Sequence, residues 1–108
     1  MEERRFAGRL ACWLPVRFMT VGSEHPVDTL SKNLSVGGLM CLSPHRLSLL
    51  SPISLEILLG RARQPLVAQG LVRWIQEVPD SQQYFVGITF LGLDETDRIR
   101  LSRYLDRT

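Results

Sequence analysis

The sequence predicts an all-β fold, a small six-stranded antiparallel β-barrel closed by one C-terminal α-helix. Three observations predict it. Short β-rich runs recur at regular spacing, turn residues punctuate them, and the apolar periodicity becomes helical only from Asp94 onward. At 108 residues there is room for one small domain. Closure removes the exposed strand edges that an all-β chain of this size could not otherwise protect.

The first nine residues, MEERRFAGR, are charged, contain a glycine and predict a flexible arm, 1–9. The barrel is expected over 10–92. Its first strand spans 11–21 (ACWLPVRFMTV), where Pro15 predicts an edge position or a bulge because it lacks an N–H. Strands over 27–35 and 38–42 flank NLSVGG, whose paired glycines mark a turn. A fourth strand covers 53–59. The fifth, 66–78 (LVAQGLVRWIQEV), is long enough to bend, and Gly70 is the natural place for it. The sixth, 82–91, alternates Tyr84, Val86, Ile88 and Phe90 against Phe85, Gly87 and Thr89. A helix follows over 94–107, with Asp94 as N-cap, acids in its first turn, an apolar stripe of Leu101, Tyr104 and Leu105, and Arg103 and Arg107 near its C-terminal end.

Composition narrows the function. A net charge of +2 is too small for a polyelectrolyte partner of a nucleic-acid polymer. Twelve of the thirteen basic residues are arginine, with Lys32 alone. Arginine's planar fork matches phosphate oxygens and base edges and stacks on rings, although a GC-rich genome would also favour its codons. Cys12 and Cys41 lie in apolar strand segments without a CxxC or histidine partner, so no metal site is expected and both are read as buried, reduced thiols of a cytoplasmic protein. Residues 1–9 are too charged for a secretory leader. The longest apolar stretch, 47–60, is broken by Pro52 and Glu56, so membrane insertion is not expected. His25 and His45 sit beside prolines in loops and are read as surface residues, and Trp13 and Trp74 as core or barrel-wall packing. No nucleophile–base pair, carboxylate dyad or metal cluster suggests an enzyme.

Two motifs remain. Arg5-x-x-x-Arg9 lies in the arm and is weak alone, since this many arginines produce an RxxxR about once by chance and a second occurs at Arg103/Arg107. Asn33-x-Ser35-x-x-Gly38 is more specific: six Asp/Asn, nine Ser and eight Gly give a chance expectation of roughly 0.04 occurrences.

An arginine pair in an N-terminal arm, one strand, and then an Asn-Ser-Gly turn in a small barrel resembles the PilZ domain family. The resemblance extends over nearly the whole chain, from Arg4-Arg5 and Val16-Arg17-Phe18 through Asn33-Leu34-Ser35-Val36-Gly37-Gly38-Leu39 to Gly70-Leu71-Val72-Arg73-Trp74 and Val86-Gly87-Ile88-Thr89-Phe90. It implies a single domain, 1–108, with the split barrel of that family, binding cyclic di-GMP through the two motifs and needing no cofactor. The family's usual Asp at the first motif position is Asn33 here. Arg5 and Arg9 would then contact phosphates and guanine Hoogsteen edges, and Asn33 and Ser35 would hydrogen-bond a guanine edge. Gly38 would supply either a positive φ or a close approach of backbone to ligand. An arginine at the position of Arg4 accompanies two stacked ligand molecules in the family; a plain arm charge is the alternative. The expected role is an adaptor that couples the second messenger to a downstream protein effector, with a homodimer as an option. The competing expectations are a PilZ-like module acting through protein contacts alone and a nucleic-acid barrel. The second is disfavoured because the strand from Tyr84 to Phe90 has no basic residue.

Overall fold

Strict alternation builds the wall of the barrel. In the computed structural model, which describes residues 13–61 and 63–106, β1 (Leu14–Thr20) buries Leu14, Val16 and Phe18 and turns Pro15, Arg17 and Met19 outward. β2 (Val27–Ser35) and β3 (Gly38–Ser43) form the hairpin around residues 36–37, and β4 (Pro52–Ile57) buries Ile53, Leu55 and Ile57. β5 (Leu66–Glu77) and β6 (Tyr84–Gly92) complete a closed barrel in the order β1-β2-β3-β6-β5-β4, with every pairing antiparallel and β4 returning to β1. The six strands and the terminal helix are those expected from the sequence. β4 ends two residues earlier than its apolar run, where the Leu58 N–H donates to the Pro15 carbonyl at 3.2 Å.

Pro15 stands on neither an edge nor a bulge. β1 is paired on both sides, and Pro15 is opposite Leu30 of β2. Its carbonyl faces β4, so its missing N–H faces β4 too, just before that ladder begins at Val16. Proline therefore costs only the reciprocal half of the terminal Pro15/Leu58 pair, whose other bond, from the Leu58 N–H to the Pro15 carbonyl, is made. Gly70 does mark a bend: the β5–β6 register slips between Gln69 and Gly70, and a Cβ at Gly70 would meet the Ile88 Cγ2 at 2.6 Å and the Thr89 carbonyl oxygen at 2.8 Å.

Helix α1 (Glu95–Asp106) starts as its sequence dictates. The Asp97 N–H donates to Asp94 Oδ1 at 2.8 Å, and Glu95 and Asp97 place negative charge in the first turn. Leu101 and Leu105 are buried in the same apolar cluster as Leu59 and Leu66. Arg100 donates to the Gln64 carbonyl at 2.6 Å, so the helix lies against the β4–β5 connection. Among the described residues no helix is long and apolar enough to cross a membrane.

Cys41 is fully buried, and burial pushes its thiol up to about 12. Cys12 lies outside the described residues. His25 and His45 are exposed, as read from the sequence.

Candidate ligand-binding site

Two β-bulges turn side chains outward onto one patch. The first is in β2. Lys32 is opposite Met40 and Ser35 opposite Gly38, so three residue steps on β2 match two on β3. The added residue lets Asn33 adopt a left-handed backbone, φ 59°, a region that asparagine tolerates better than most residues. Unbroken alternation after the buried Ser31 would aim Asn33 into the barrel. Instead Asn33 is exposed, Leu34 takes the interior with no exposed surface, and Ser35 returns to the outside.

The second bulge is in β5. Val72 is opposite Ile88 and Trp74 opposite Gly87, leaving Arg73 extra. Alternation from Leu66 through Ala68, Gly70 and Val72 would bury Trp74; the bulge puts it outside, 43% exposed. One face of its indole covers Gly87, where a Cβ would run into the Trp74 ring. The core position expected for Trp74 is therefore overturned, while wall packing holds for the covered face. Trp13 is also outside the core, 41% exposed, with the Lys32 ammonium 5.3 Å from its ring centroid.

Between the two bulges lies an open depression of about 340 Å³, lined by Asn33, Ser35, Gly37, Gly38, Leu39, Met40, Trp74, Ile88 and Thr89. The hairpin that forms its rim is held by Ser35. The Ser35 hydroxyl accepts from the Gly37 N–H at 3.2 Å and donates to the Gly38 carbonyl at 3.4 Å. The Phe90 N–H donates to the Gly37 carbonyl at 2.8 Å and ties the turn to β6. The side chain of Asn33 has no hydrogen-bond partner among the described residues, so its amide is free for a ligand. Gly38 is not left-handed. Its missing side chain is required by β6, because a Cβ there would collide with the Ile88 carbonyl oxygen.

The structure thus brings Asn33, Ser35 and Gly38 to one depression and adds Trp74, whose place was hidden by the apparent phase of β5. Arg4, Arg5 and Arg9 lie outside the described residues, as does the arm boundary at residue 9. The depression itself is lined by no charged side chain, only amide, hydroxyl, backbone and ring. Among the described residues no group of three or more potential metal ligands occurs.

The PilZ domain family model matches residues 3–107, nearly the full length. The chain belongs to the PilZ domain family. PilZ domains are effector modules rather than enzymes, and this chain is one of them. Among solved structures, the PilZ chain resembles the Bacillus subtilis inhibitor of motility MotI/DgrA (TM-score 0.77, 22% identity), covering 92% of this chain and 48% of that one. It spans about half the length of that protein. The PilZ domain of Escherichia coli YcgR with c-di-GMP superposes with a TM-score of 0.69 at 16% identity, covering 90% of this chain and 85% of that one. The PilZ domain of CeSA from a cellulose-synthesizing bacterium gives 0.62 at 15% identity, over 90% of this chain and 93% of that one. At these identities the likeness is one of fold. A comparison with curated proteins finds no significant match.

Proposed function

We propose that this PilZ domain is a cyclic di-GMP receptor that couples ligand binding to a protein effector. The observation that carries the reading is the pair of bulges that aims Asn33 and Trp74 into one depression, beside a hairpin shaped by Ser35 and Gly38. The ligand has two phosphodiester anions and two guanines. A guanine stacks on the open face of Trp74, and the free Asn33 amide reads its edge. Ser35 already spends its proton inside the turn, so it contributes a lone pair and the turn geometry. The YcgR PilZ structure, solved with c-di-GMP, supports the ligand assignment by family.

Charge for the phosphates comes from Arg5 and Arg9. Arg9 is four residues before Trp13, a tether of at most about 14 Å, and Trp13 sits over Lys32, the neighbour of Asn33. A tether of that length is enough for an arginine fork to meet a ligand in the depression and form bidentate bonds to phosphate or to guanine O6 and N7. Arg4 contributes a third cation, suited to a second stacked ligand molecule. In this reading residues 1–108 act as one unit, and the effector responds to the ligand-occupied surface.

Calorimetric titration with cyclic di-GMP tests the proposal. Binding that is weakened by about 2–3 kcal/mol in each of Arg5→Ala and Arg9→Ala, the range for a charge-assisted bidentate contact, supports it. The stoichiometry decides the role of Arg4. Absence of heat and of any thermal shift in the folded wild-type protein refutes the receptor reading and leaves a module that acts through protein contacts alone.

A further inference from the structure

The connection between β3 and β4 ends in an apolar tip that the fold holds in water. Leu49 and Leu50 are 61% and 62% exposed. Leu50 has φ 62°, a left-handed backbone that a bulky residue rarely takes. The tip is nonetheless fixed. The Leu50 N–H donates to the Val72 carbonyl at 2.7 Å, and the Val72 N–H donates to the Ser51 carbonyl at 3.1 Å. The Ser51 hydroxyl also donates to the Ser48 carbonyl at 2.7 Å. Arg46 on the same connection and Arg73 beside Val72 are exposed and make no ion pair among the described residues. A preorganised apolar tip flanked by two cations calls for an apolar cavity rimmed by acid.

The protein carries such a cavity. On the outer wall of β1 and β4 a hollow of about 410 Å³ is lined by Pro15, Leu58 and Pro65, with Asp28 and Glu56 at its rim. Arg17 stands between the two acids, opposite both in the ladders. It is bonded to Asp28 at 2.7 Å, which leaves Glu56 without an ion pair among the described residues. The rim is therefore net negative in a chain whose net charge is +2. Tip and cavity lie toward opposite ends of β4, with Leu50 six residue steps or roughly 20 Å from Glu56, so the tip of one molecule cannot enter its own cavity.

We propose that copies of this chain associate head to tail, the Leu49–Leu50 tip of one seated in the β1–β4 cavity of the next. The contact is heterologous, so each oligomer keeps one free tip and one free cavity unless a ring closes. Its charge complementarity brings Arg46 and Arg73 to the net-negative rim, where Glu56 is the acid not already paired with Arg17. The association does not depend on the nucleotide.

Sedimentation equilibrium across about 10 μM to 1 mM, where contacts this small become populated, reads the association directly. For the wild type the weight-average mass rises above the monomer value of 12.3 kDa, and the rise shrinks with added salt. Leu50→Asp loses the tip, Leu58→Arg fills the cavity with a cation, and each stays monomeric. An equimolar mixture of the two forms a dimer and nothing larger, because one working tip and one working cavity remain. Leu50→Asp folds at least as well as the wild type, since aspartate accepts the left-handed backbone, so its monomeric state reports the contact and not unfolding; circular dichroism melts confirm this. A wild type that remains at 12.3 kDa at every concentration, association that persists in Leu50→Asp, or a mixture of folded variants that stays monomeric overturns the proposal.

Discussion

Gly37 and Gly38 are adjacent, both line the candidate site, and yet the structure assigns them opposite tolerance to a methyl group. A Cβ at Gly38 would collide with the Ile88 carbonyl oxygen and lie 3.1 Å from the Ile88 carbonyl carbon and 3.2 Å from the Thr89 Cα. All three are backbone atoms of β6, the strand to which β3 is paired at Gly38↔Thr89 and Leu39↔Ile88. In a closed barrel β6 cannot retreat without opening its ladder to β3 or β5. Overpacking against yielding side chains costs about 1–3 kcal/mol, so a clash with backbone belongs at or above the upper end, about 3 kcal/mol. For a domain of this size each kcal/mol moves the melting temperature by roughly 4–8 °C, which makes the expected drop for Gly38→Ala roughly 12–24 °C. At Gly37 the nearest atom to a Cβ is Ser35 Oγ at 3.8 Å, and the backbone is not left-handed. Gly37→Ala should change stability by no more than about 0.5 kcal/mol, with a small gain from restricting the unfolded chain. Thermal melts followed by circular dichroism compare the two variants directly. Equal melting of Gly38→Ala and wild type, or equal damage from both substitutions, would refute the assignment of Gly38 to strand-to-strand contact.

Gly87→Ala places a methyl where the Trp74 indole lies, and here a side chain can move, so cyclic di-GMP affinity should fall about as far as in Trp74→Ala, by roughly 1–3 kcal/mol for a stacked base; titration calorimetry and a shift in tryptophan emission check both. Asn33→Val puts a β-branched residue at φ 59° and should cost about 1–2 kcal/mol in a urea titration, whereas Asn33→Gly keeps the fold and loses only the unpartnered side-chain amide. For Cys41, burial raises the thiol from its ordinary 9.0 to about 12, so the folded state favours the neutral form. That contribution is complete below the unfolded value and is lost as pH rises from 9.0 toward about 12. In a Cys12→Ser background, native protein should resist iodoacetamide at mildly alkaline pH and react only when unfolded in urea; rapid alkylation of the native state would contradict the burial of Cys41.

The strands were legible because each keeps one residue type per face over most of its length. Leu14, Val16 and Phe18 alternate with Pro15, Arg17 and Met19, and Val86 and Ile88 alternate with Phe85 and Thr89. Asp94 was legible as a cap because its carboxylate serves a local N–H three residues on. Pro15 misled because an absent N–H at the last pair of a ladder costs a single terminal bond, and where the β1–β4 pairing ends depends on a strand forty residues away. Trp74 misled for a related reason. Trp74 and Ile75 are both apolar, so the run LVRWI fits two phases, and only the position of the bulge relative to β6 decides which residue enters the core.

That ambiguity is where the site resides. Strict alternation gives a barrel whose inner face is core and whose outer face is polar, with nothing arranged to converge on a ligand. One added residue in β2 and one in β5 each reverse the phase locally and turn outward a residue that alternation would have buried. β2 and β5 are not neighbours in the sheet; β3 and β6 lie between them, and those two strands carry Gly38 and Gly87 in the lining or directly beneath it. The small residues have separate reasons: Gly38 lets the β3 and β6 backbones approach, and Gly87 makes room for the indole that the second bulge delivers. A variant that deletes Arg73 would remove the second bulge and set Trp74 directly after the inward Val72, where plain alternation still points it outward opposite Gly87, so the ring would keep its place above the depression. The two bulges lie on separate strands and contribute different parts of one surface, the first exposing the unpartnered Asn33 amide and the second an open face of the Trp74 indole.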